Sequence, residues 1–346
     1  MLNLTAKIKI GGGLFNRVGS VKITTSVDDF MDTATLVLPR GYAELVKEGA
    51  EVEIILGYVD KAENYEFFGH VAEVCPSPPY EIRCYCPFNY LRKFKVERWF
   101  RPQPAYKIVE HLLKGTGYSP HRGILEEIAK KKDKLYAIAW DGYKNVSVTV
   151  RKAIAKLAME NGYFAYFVGR KLHFRDRLTA AGLSRMPLFT EGLDIIDHSL
   201  LYHQGNTVRK VTVISDTAKQ GRPTKGVFID RKVKDSTLEK EFVVSGLDDD
   251  NSCASRAKEI SEQLNAPGYT GDFKTFGAPF VRAGQLCAIK MRGEKSATIQ
   301  AVRKTEVTFD GGGYRRIITP LATTKDVYSA SALLFTESLD YFKRRA

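Results

Sequence analysis

Alternating apolar and polar positions dominate residues 1–95 and predict β-strands. The alternation is clear over Leu4–Ile10, and Val21–Thr25 is rich in β-branched residues, which favour strands. Further strands are predicted at Ala34–Leu38, Glu51–Leu56, Phe67–Cys75 and Tyr80–Cys86. Several short strands at this spacing, with little helix between them, predict a small antiparallel barrel or sandwich.

The hydrophobic period changes to that of a helix after this region. Apolar residues recur at i, i+3, i+4, i+7 and i+8 between Pro104 and Gly115, which suit the start and the end of a helix. A second helix is predicted at Val148–Asn161, followed by a hairpin over 163–174. Residues 96–187 are therefore expected to form a compact α+β domain.

Strand patterns return from residue 188. Strands are predicted at Leu200–Gln204, Val208–Ser215, Val227–Val233, Glu241–Ser245, Gln285–Met291, Ala297–Phe309 and Tyr314–Thr319. The acidic residues Asp248–Asp250 and an apolar stripe that ends at Leu264 predict a helix among them. We therefore expect a second β domain over 188–325 with a helical insertion near 248–275, and a C-terminal helix over 326–346.

The two β regions resemble each other. Gly49–Gly57 is a strand that follows a glycine and precedes a long hairpin, and Gly284–Gly293 begins the same arrangement. The match is weak residue by residue, and similar hairpins also arise by chance in β proteins. We interpret the pattern as an internal duplication.

The composition is that of an ordinary globular protein, with 346 residues of which 44% are hydrophobic and 27% charged. At roughly 150 residues per domain, this length allows two or three domains. No apolar run approaches the ~20 residues that a transmembrane helix needs, and the N-terminus lacks the apolar core of a signal peptide. We therefore expect a chain that folds in a cytosol without membrane insertion.

The net charge is +13, from 53 Lys and Arg against 40 Asp and Glu. Such a balance allows a nucleic acid, an anionic surface or an acidic protein as a partner. Because the basic residues are spread along the chain, a solvated surface is the simpler interpretation.

The cysteine pattern predicts reduced thiols. The number of cysteines is odd and the chain has no secretion signal, which argues against a disulfide framework. The five are Cys75, Cys84, Cys86, Cys253 and Cys287. A zinc site formed by the first three was considered, but no paired ligand motif completes it. We expect buried reduced thiols instead.

Motifs for a phosphate-binding loop, a dinucleotide-binding fold, a nucleophile elbow or a zinc protease are absent from the sequence. His198 and His203, with Asp194 and Asp197, form the one cluster of histidine and aspartate. We interpret it as a polar loop before a strand rather than a metal or acid–base site. Asp248–Asp250 are interpreted as a helix cap rather than a cation site. No catalytic, cofactor-binding or metal-binding residue is predicted, and no cofactor.

Four stretches in order resemble the late control protein D family, the baseplate hubs of contractile-tailed phages such as Mu. They are Ser26–Leu38, Gly49–Val71, the helix and hairpin over Val146–Phe174, and the helix Ala254–Leu264 before Gly284. The helix, glycine and hairpin of the third stretch are the most distinctive, and the four together extend over nearly the whole chain.

The resemblance implies an α+β, mainly β fold with two tube-like antiparallel β-barrel domains and an inserted α+β domain. It implies a homotrimer that joins a six-fold tail tube to a three-fold central spike, because two similar barrels in three chains give six near-equivalent units. The implied partners are the tail tube protein and the central spike protein, with baseplate wedge and tape-measure proteins as further ones. DNA is implied only as cargo that passes through the channel.

The implied location is the virion, at the tail baseplate, after assembly in the host bacterial cytoplasm. The resemblance implies a structural protein and no enzyme. Two alternatives stay open at this point. A nucleic-acid-binding protein would account for the positive charge and the 17 Tyr and 19 Phe, although no recognised reading motif supports it. An enzyme of unrecognised type is the other.

Loops and hairpin tips are the natural contacts of such a ring with its neighbours. The loop over 27–32 places Phe30 and Met31 between acidic residues, which suits a docking loop. The alternative is that Phe30 fills the interior of its own barrel. The other candidate partner-binding residues are Asp60, Asn64, Gly311, Gly312 and Gly313.

Overall fold

The structure of the chain is a computed structural model. It describes residues 3–28, 30–59, 63–96, 100–121, 136–138, 148–160, 163–176, 186–205, 207–215, 224–234, 236–244, 247 and 249–321. The predicted C-terminal helix over 326–346 lies outside the described residues. Within these ranges, every helix is too short or too polar to span a membrane.

Seven strands and two short helices form the N-terminal β region. The strands are β1 (Leu4–Ile10), β2 (Gly13–Phe15), β3 (Ser20–Ser26), β4 (Thr33–Val37), β5 (Glu51–Tyr58), β6 (Asn64–Val74) and β7 (Glu81–Tyr85). The helices are α1 (Arg40–Ala43) and α2 (Pro87–Tyr90), and a 3₁₀ turn follows at Leu91–Lys93. Buried residues alternate along β3, β4 and β7 as predicted, with Ile23 and Leu36 fully inside, whereas residues 56–58 of β5 and 66–69 of β6 are buried without a break.

Among the described residues, the middle region combines two helices with short strands. The elements are β8 (Lys95–Val96), β9 (Phe100–Gln103), α3 (Ala105–Leu113), β10 (Ser119–Pro120), β11 (Tyr136–Ile138), β12 (Val148–Thr149), α4 (Val150–Glu160), β13 (Tyr163–Val168) and β14 (Lys171–Asp176). The whole predicted stripe of α3 is buried. α4 begins at Val150 rather than at the predicted Val148, because Val148 and Thr149 pair with β8.

The C-terminal β region contains the remaining strands that the structure describes. They are β15 (Leu188–Thr190), β16 (Ile195–His198), β17 (Leu201–His203), β18 (Lys210–Ser215), β19 (Lys225–Ile229), β20 (Glu239–Val244), β21 (Gly268–Thr270), β22 (Phe273–Phe276), β23 (Leu286–Lys290), β24 (Thr298–Asp310) and β25 (Gly313–Pro320). One helix, α5 (Asp250–Leu264), lies among them.

Three of these strands lie apart from the largest sheet. β18, β19 and β20 form a sheet of their own, which α5 covers on one face. Because α5 packs Ile260 and Leu264 against Val211 and Val213, this unit closes a separate hydrophobic core. It lies between β17 and β21, which pair with each other. The predicted helix near 248–275 therefore packs on a small sheet, β18–β20, that precedes it in the chain.

The largest sheet of the structure has 13 strands, and both β regions contribute to it. Its order is β16-β22-β25-β24-β3-β4-β7-β6-β5-β1-β2, and β23 and β15 attach beside β24. The pairs along this order are antiparallel, and the mainly β class is confirmed. Among the described strands the sheet stays open, with β16 and β2 at its ends.

One hydrophobic core runs from the N-terminal β region into the middle region. It joins inward residues of β5 and β6 to the buried faces of α3 and α4. The C-terminal β region has its own core around Phe189, Phe273 and Ile289. A small cluster of Val27, Phe164 and other apolar residues connects the middle region to β24. The middle region therefore packs against both β regions.

Candidate assembly site

The two β regions repeat one local fold that begins at a glycine. Gly49 and Gly284 have left-handed backbone conformations, with φ of +80° and +84°. Gly49 donates its N–H to the carbonyl of Val71, and Gly284 donates to Val302, both over 2.8 Å. In return, the N–H of Val71 donates to the carbonyl of Ala50 over 2.9 Å, and the N–H of Val302 donates to the carbonyl of Gln285 over 2.8 Å. Glycine suits both positions because a side chain would strain this conformation.

Each long strand also carries a β-bulge directly after that valine. The register of β6 against β7 shifts after Val71, and the register of β24 against β25 shifts after Val302. Before the bulge, β6 pairs with β5, and β24 pairs with β23. The same glycine, hydrogen bonds and bulge occur in both regions, as an internal repeat predicts. We call the two copies the N-terminal unit and the C-terminal unit.

The two units meet edge to edge. Strands β16-β22-β25-β24 of the C-terminal unit continue directly into β3-β4-β7-β6 of the N-terminal unit. The joint is the antiparallel pairing of β24 with β3, which we call the seam; Lys304 lies opposite Ser26, and Phe309 lies opposite Val21. Inside the seam, the hydroxyls of Thr25 and Thr305 are 2.8 Å apart and buried. The seam therefore satisfies both backbone and side-chain polar groups.

A buried cluster of charged and polar side chains joins β6 to β25 beside the seam. Arg316 and Tyr314 both donate hydrogen bonds to Oε1 of Glu66. The side chains of Arg316 and Glu66 are 1% and 2% exposed. Arg316 also donates to the carbonyl of Val281 over 2.9 Å, and its guanidinium lies 5.0 Å from the ring centre of Phe280. Burial raises the pKa of Tyr314, which keeps its phenol protonated as a donor.

Periodicity alone does not reveal this cluster, but one signal in the sequence points to it. Glu66 directly precedes two phenylalanines within a strand, and Arg316 lies between a tyrosine and two isoleucines in another strand. A charge in such an apolar setting is stable when an opposite charge meets it. The pattern therefore indicates a buried pair, although it does not indicate which residues meet.

The loop over 27–32 docks within its own chain. Val27 donates its N–H to the carbonyl of Arg303 over 3.0 Å, and Nε of Arg303 donates to Asp28 over 2.6 Å. Asp32 lies 4.0 Å from the guanidinium of Arg282. These contacts place the loop of the N-terminal unit against the C-terminal unit, beside the seam.

The structure supports the core interpretation of Phe30. Its side chain is 4% exposed and packs edge-on against Phe88, with ring centres 5.8 Å apart. Its φ is +49°, a conformation that bulky residues rarely adopt, and packing of the ring offsets the strain. Of the two interpretations left open for Phe30, the structure therefore favours the interior one, because apolar burial holds the ring inside. Met31 is half-buried beside it.

Asp32 makes the stability of the chain depend on pH. Burial raises the pKa of this carboxyl to about 6, and Arg282 opposes the change. The native state therefore keeps a proton at pH values where the unfolded chain has lost it, and this contribution to stability is lost as pH rises through about 6. Relative to Asp32→Asn, the wild-type protein should lose about 2 kcal/mol between pH 4 and pH 7. Urea unfolding of both proteins at the two pH values measures this, and an unchanged difference would contradict it.

The predicted tip residues separate into two groups. Gly311 and Gly312 are exposed at the turn between β24 and β25, where the N–H of Gly312 donates to Asp310 over 2.7 Å, and Gly313 begins β25 half-buried. Asn64 is not a free tip residue: its amide donates to the carbonyl of Gly277 and to the Tyr314 hydroxyl, over 3.2 Å and 3.1 Å. Asp60 lies outside the described residues.

The histidine and aspartate cluster does not converge on a site. His198 faces Glu191 at 3.6 Å, whereas His203 contacts Thr270 at 2.9 Å. Among the described residues, no group of three metal-ligating side chains could hold an ion. Asp249 caps α5 by accepting a hydrogen bond from the N–H of Ser252 over 2.7 Å, as the helix-cap interpretation predicts.

The thiols are unpaired, and four of them, Cys84, Cys86, Cys253 and Cys287, are buried. Burial raises the pKa of Cys84 to about 12, so this thiol is inert. Cys75 differs from the expectation because it lies half-exposed where β6 ends, next to the turn. The buried thiols are core residues, and Cys75 is available for chemistry.

Comparison with known proteins identifies the fold. No protein-family model matches the sequence, and no curated protein matches it. The structure is similar to the 43 kDa tail protein of prophage MuSo2 from Shewanella oneidensis, with 14% identity, a TM-score of 0.62, and coverage of 92% of this chain and 98% of that one. It is also similar to the tail protein from Neisseria meningitidis MC58, with 12% identity, a TM-score of 0.63, and coverage of 92% and 96%.

A third similar structure comes from a secretion apparatus. It is an Escherichia coli component of the type VI secretion system, with 11% identity, a TM-score of 0.51, and coverage of 92% of this chain and 77% of that one. That protein itself exhibits structural similarity to the T4 bacteriophage tail proteins gp27 and gp5. Over nearly its whole length, this chain therefore has the fold of phage tail proteins, which the type VI secretion component shares.

Proposed function

We propose that this chain is a structural baseplate hub protein of a phage tail or a related contractile injection particle. In this role three copies form a ring that joins a six-fold tail tube to a three-fold central spike. The observation that carries the proposal is the pair of repeated units, each entering one sheet in the same strand order. The similarity in fold to tail proteins supports it.

The repeat explains how one chain can match two symmetries. Each unit offers an equivalent surface to the tube, so three chains with two units each present six such surfaces. The whole chain repeats only three times around the axis, which suits a three-fold spike. The seam keeps the two units in a fixed relation, and the two tube-like barrels of the proposal correspond to these units.

One face of the shared sheet suits the lumen of such a ring. Thr308, Lys22 and Thr35 form a row of directly opposed residues across β24, β3 and β4. Arg315 and Arg83 extend the row on either side. This row is therefore hydroxylated and positively charged, and ion pairs of Arg83 with Glu73 and of Lys304 with Glu306 beside it add charges of both signs, which keeps the face hydrated. DNA passes along it as cargo rather than as a ligand read by sequence.

The proposed partners are a second and a third copy, the tail tube protein, the central spike protein, and baseplate wedge and tape-measure proteins. The proposed location is the virion baseplate, after assembly in the bacterial cytoplasm. The role is structural and not enzymatic. Hydrolysis of peptidoglycan or nucleotides by the purified chain, lost on changing His198 or Asp197, would contradict this part.

Light scattering on the purified chain tests the proposal. We expect a mass of three chains at micromolar concentration, or a three-fold ring in assembled particles where the partners are needed to close it. A chain that is monomeric in solution and is present as single copies in particles would contradict the hub role.

A further inference from the structure

The two strand edges that meet in the seam have equivalents elsewhere in the chain, and no described strand pairs with these equivalents. The two units can be aligned at their bulges. Glu73 of β6 is then equivalent to Lys304 of β24, because each is the first residue that pairs again after the register shift. The same alignment makes Arg83 equivalent to Thr319. Arg83 lies opposite Thr35, and Thr319 contacts Asp272. β4 of the N-terminal unit therefore corresponds to the β21–β22 segment of the C-terminal unit.

The next strand follows from the same alignment. Thr24 pairs with Thr33 in the N-terminal unit, and Leu201 pairs with Thr270 in the C-terminal unit. Thr33 and Thr270 are equivalent, because they lie two residues before the matched positions Thr35 and Asp272. The second half of β3, which pairs with Thr33, is therefore equivalent to β17, which pairs with Thr270. In β3 that half lies in the seam, with Thr24, Thr25 and Ser26 opposite Glu306, Thr305 and Lys304 of β24.

β17 carries the same pairing position, and no strand among the described residues lies beside it there. It pairs with β21 along one edge, and none of the described strands pairs with its other edge. Thr25 is 4% exposed in the seam, whereas its equivalent Tyr202 is 51% exposed and the neighbouring Leu201 is 67% exposed. Two large apolar residues on a free edge strand mark a place where another strand adds.

The complementary edge is the end of β6. After its bulge, β24 continues through residues 304–309 along β3, but β6 ends at Val74. Beyond His70, β6 no longer pairs with β5, and none of the described strands pairs with Glu73, Val74 or Cys75 on the side away from β7. An open groove of about 300 Å³ lies beside it, lined by Glu48, Glu73, Val74, Cys75, Glu81 and Arg83.

We propose that β17 of one copy pairs antiparallel with residues 73–75 of the next copy, and so reproduces the seam between chains. This proposal rests on the proposed ring and names the joint that closes it. The register follows from the seam: Leu201 lies opposite Cys75, Tyr202 opposite Val74, and His203 opposite Glu73. The occupant is a second copy of this chain, because the matching edge is the one that its own repeated unit presents in the seam.

The side chains fit the two faces of this joint. Thr25 and Thr305 point to the buried side of the seam, and their equivalents Tyr202 and Val74 are apolar, which suits the same side. Leu201 and Cys75 share the opposite side. Aromatic and aliphatic pairs directly across neighbouring strands stabilise a sheet by about 0.2–1 kcal/mol each.

Cys75 provides a direct test. In an antiparallel pair, opposite Cα atoms are about 4.5–5.5 Å apart, within the range that a disulfide bridges. Hydrogen bonding with the Ser77 backbone lowers the pKa of the Cys75 thiol, which favours its reaction. In Leu201→Cys, oxidation with diamide should join the new thiol to Cys75 of the next copy, while diamide takes up the two hydrogens.

The expected product on a non-reducing gel is a ladder that ends at a covalent trimer. Adding Cys75→Ser should abolish it. Leu193→Cys is the matched control, because Leu193 is 77% exposed in a turn outside the joint and should give no ladder. The oxidation is carried out on the trimer in solution, or on isolated baseplates where the ring forms only there.

The outcomes separate the joint from the ring. A three-fold ring without the Leu201→Cys disulfide, or with an equal ladder from Leu193→Cys, would overturn the joint and leave the hub role standing. Absence of a ring both in solution and in baseplates would overturn the hub role, and the joint with it.

Discussion

Replacing Glu66 with alanine should lower the free energy of unfolding by about 3–5 kcal/mol. The change removes the carboxylate that accepts hydrogen bonds from Arg316 and Tyr314. The guanidinium of Arg316, which is 1% exposed, would then carry a buried charge without its counter-ion. Such a charge costs more than a lost contact, because water cannot reach it. Urea or guanidinium unfolding followed by fluorescence measures the difference.

Glu63→Ala is the matched control, since Glu63 pairs with Lys7 at 2.8 Å on the surface, just before β6. Exposed pairs contribute about 0–1 kcal/mol, so this variant should stay close to the wild-type protein. Equal stability of the two variants would show that the cluster does not hold β6 to β25.

Replacing Gly277 with alanine should destabilise the fold by about 3 kcal/mol, at the upper end of the cost of overpacking. A Cβ at this position would lie 2.0 Å from the ring of Tyr314. The backbone cannot move away easily, because the N–H of Gly277 donates to the Tyr314 carbonyl over 3.0 Å. The ring must therefore shift, which also disturbs its hydrogen bond to Glu66. A lowered midpoint of thermal unfolding is the expected measurement.

Gly41→Ala serves as the control for this variant, because a Cβ at Gly41 meets nothing within 4 Å. It should be neutral or slightly stabilising, since alanine favours the helix. The double variant of Gly277→Ala with Glu66→Ala should lose less than the sum of the two single losses, because both act on Tyr314. Strict additivity would contradict a shared cluster.

Local patterns in the sequence predicted the elements of the fold well. The five-residue stripe of α3 and the alternation in β3 depend only on neighbouring positions, and both are found buried as expected. The internal repeat was also visible, since Gly49 and Gly284 each precede a strand and a hairpin. These features follow from side-chain periodicity and from backbone conformation, which the sequence expresses directly.

Contacts between distant positions could not be predicted in the same way. The seam joins residues 280 positions apart, as Thr25 and Thr305 illustrate. Phe30 could equally have served as a docking residue until its ring was found against Phe88. The patterns of β18–β20 predict strands, and only their pairing with one another shows that they form a separate sheet. Periodicity specifies which face is buried but not what covers it.

The candidate assembly surfaces depend on this distant information most of all. Leu201 and Tyr202 were predicted as part of an ordinary strand, and their exposure becomes meaningful through their equivalence to Thr24 and Thr25 in the seam. Asn64 was predicted at a hairpin tip, but it contacts Gly277 and Tyr314 of the other unit.

Electron microscopy of the tail end of the assembled particle tests the central claim most directly. The account predicts a ring on the tail axis built of three copies of this chain, in which the N-terminal and C-terminal units alternate as six similar densities beneath the tube. A chain located away from the axis, or a ring that contains any other number of copies, would contradict the account.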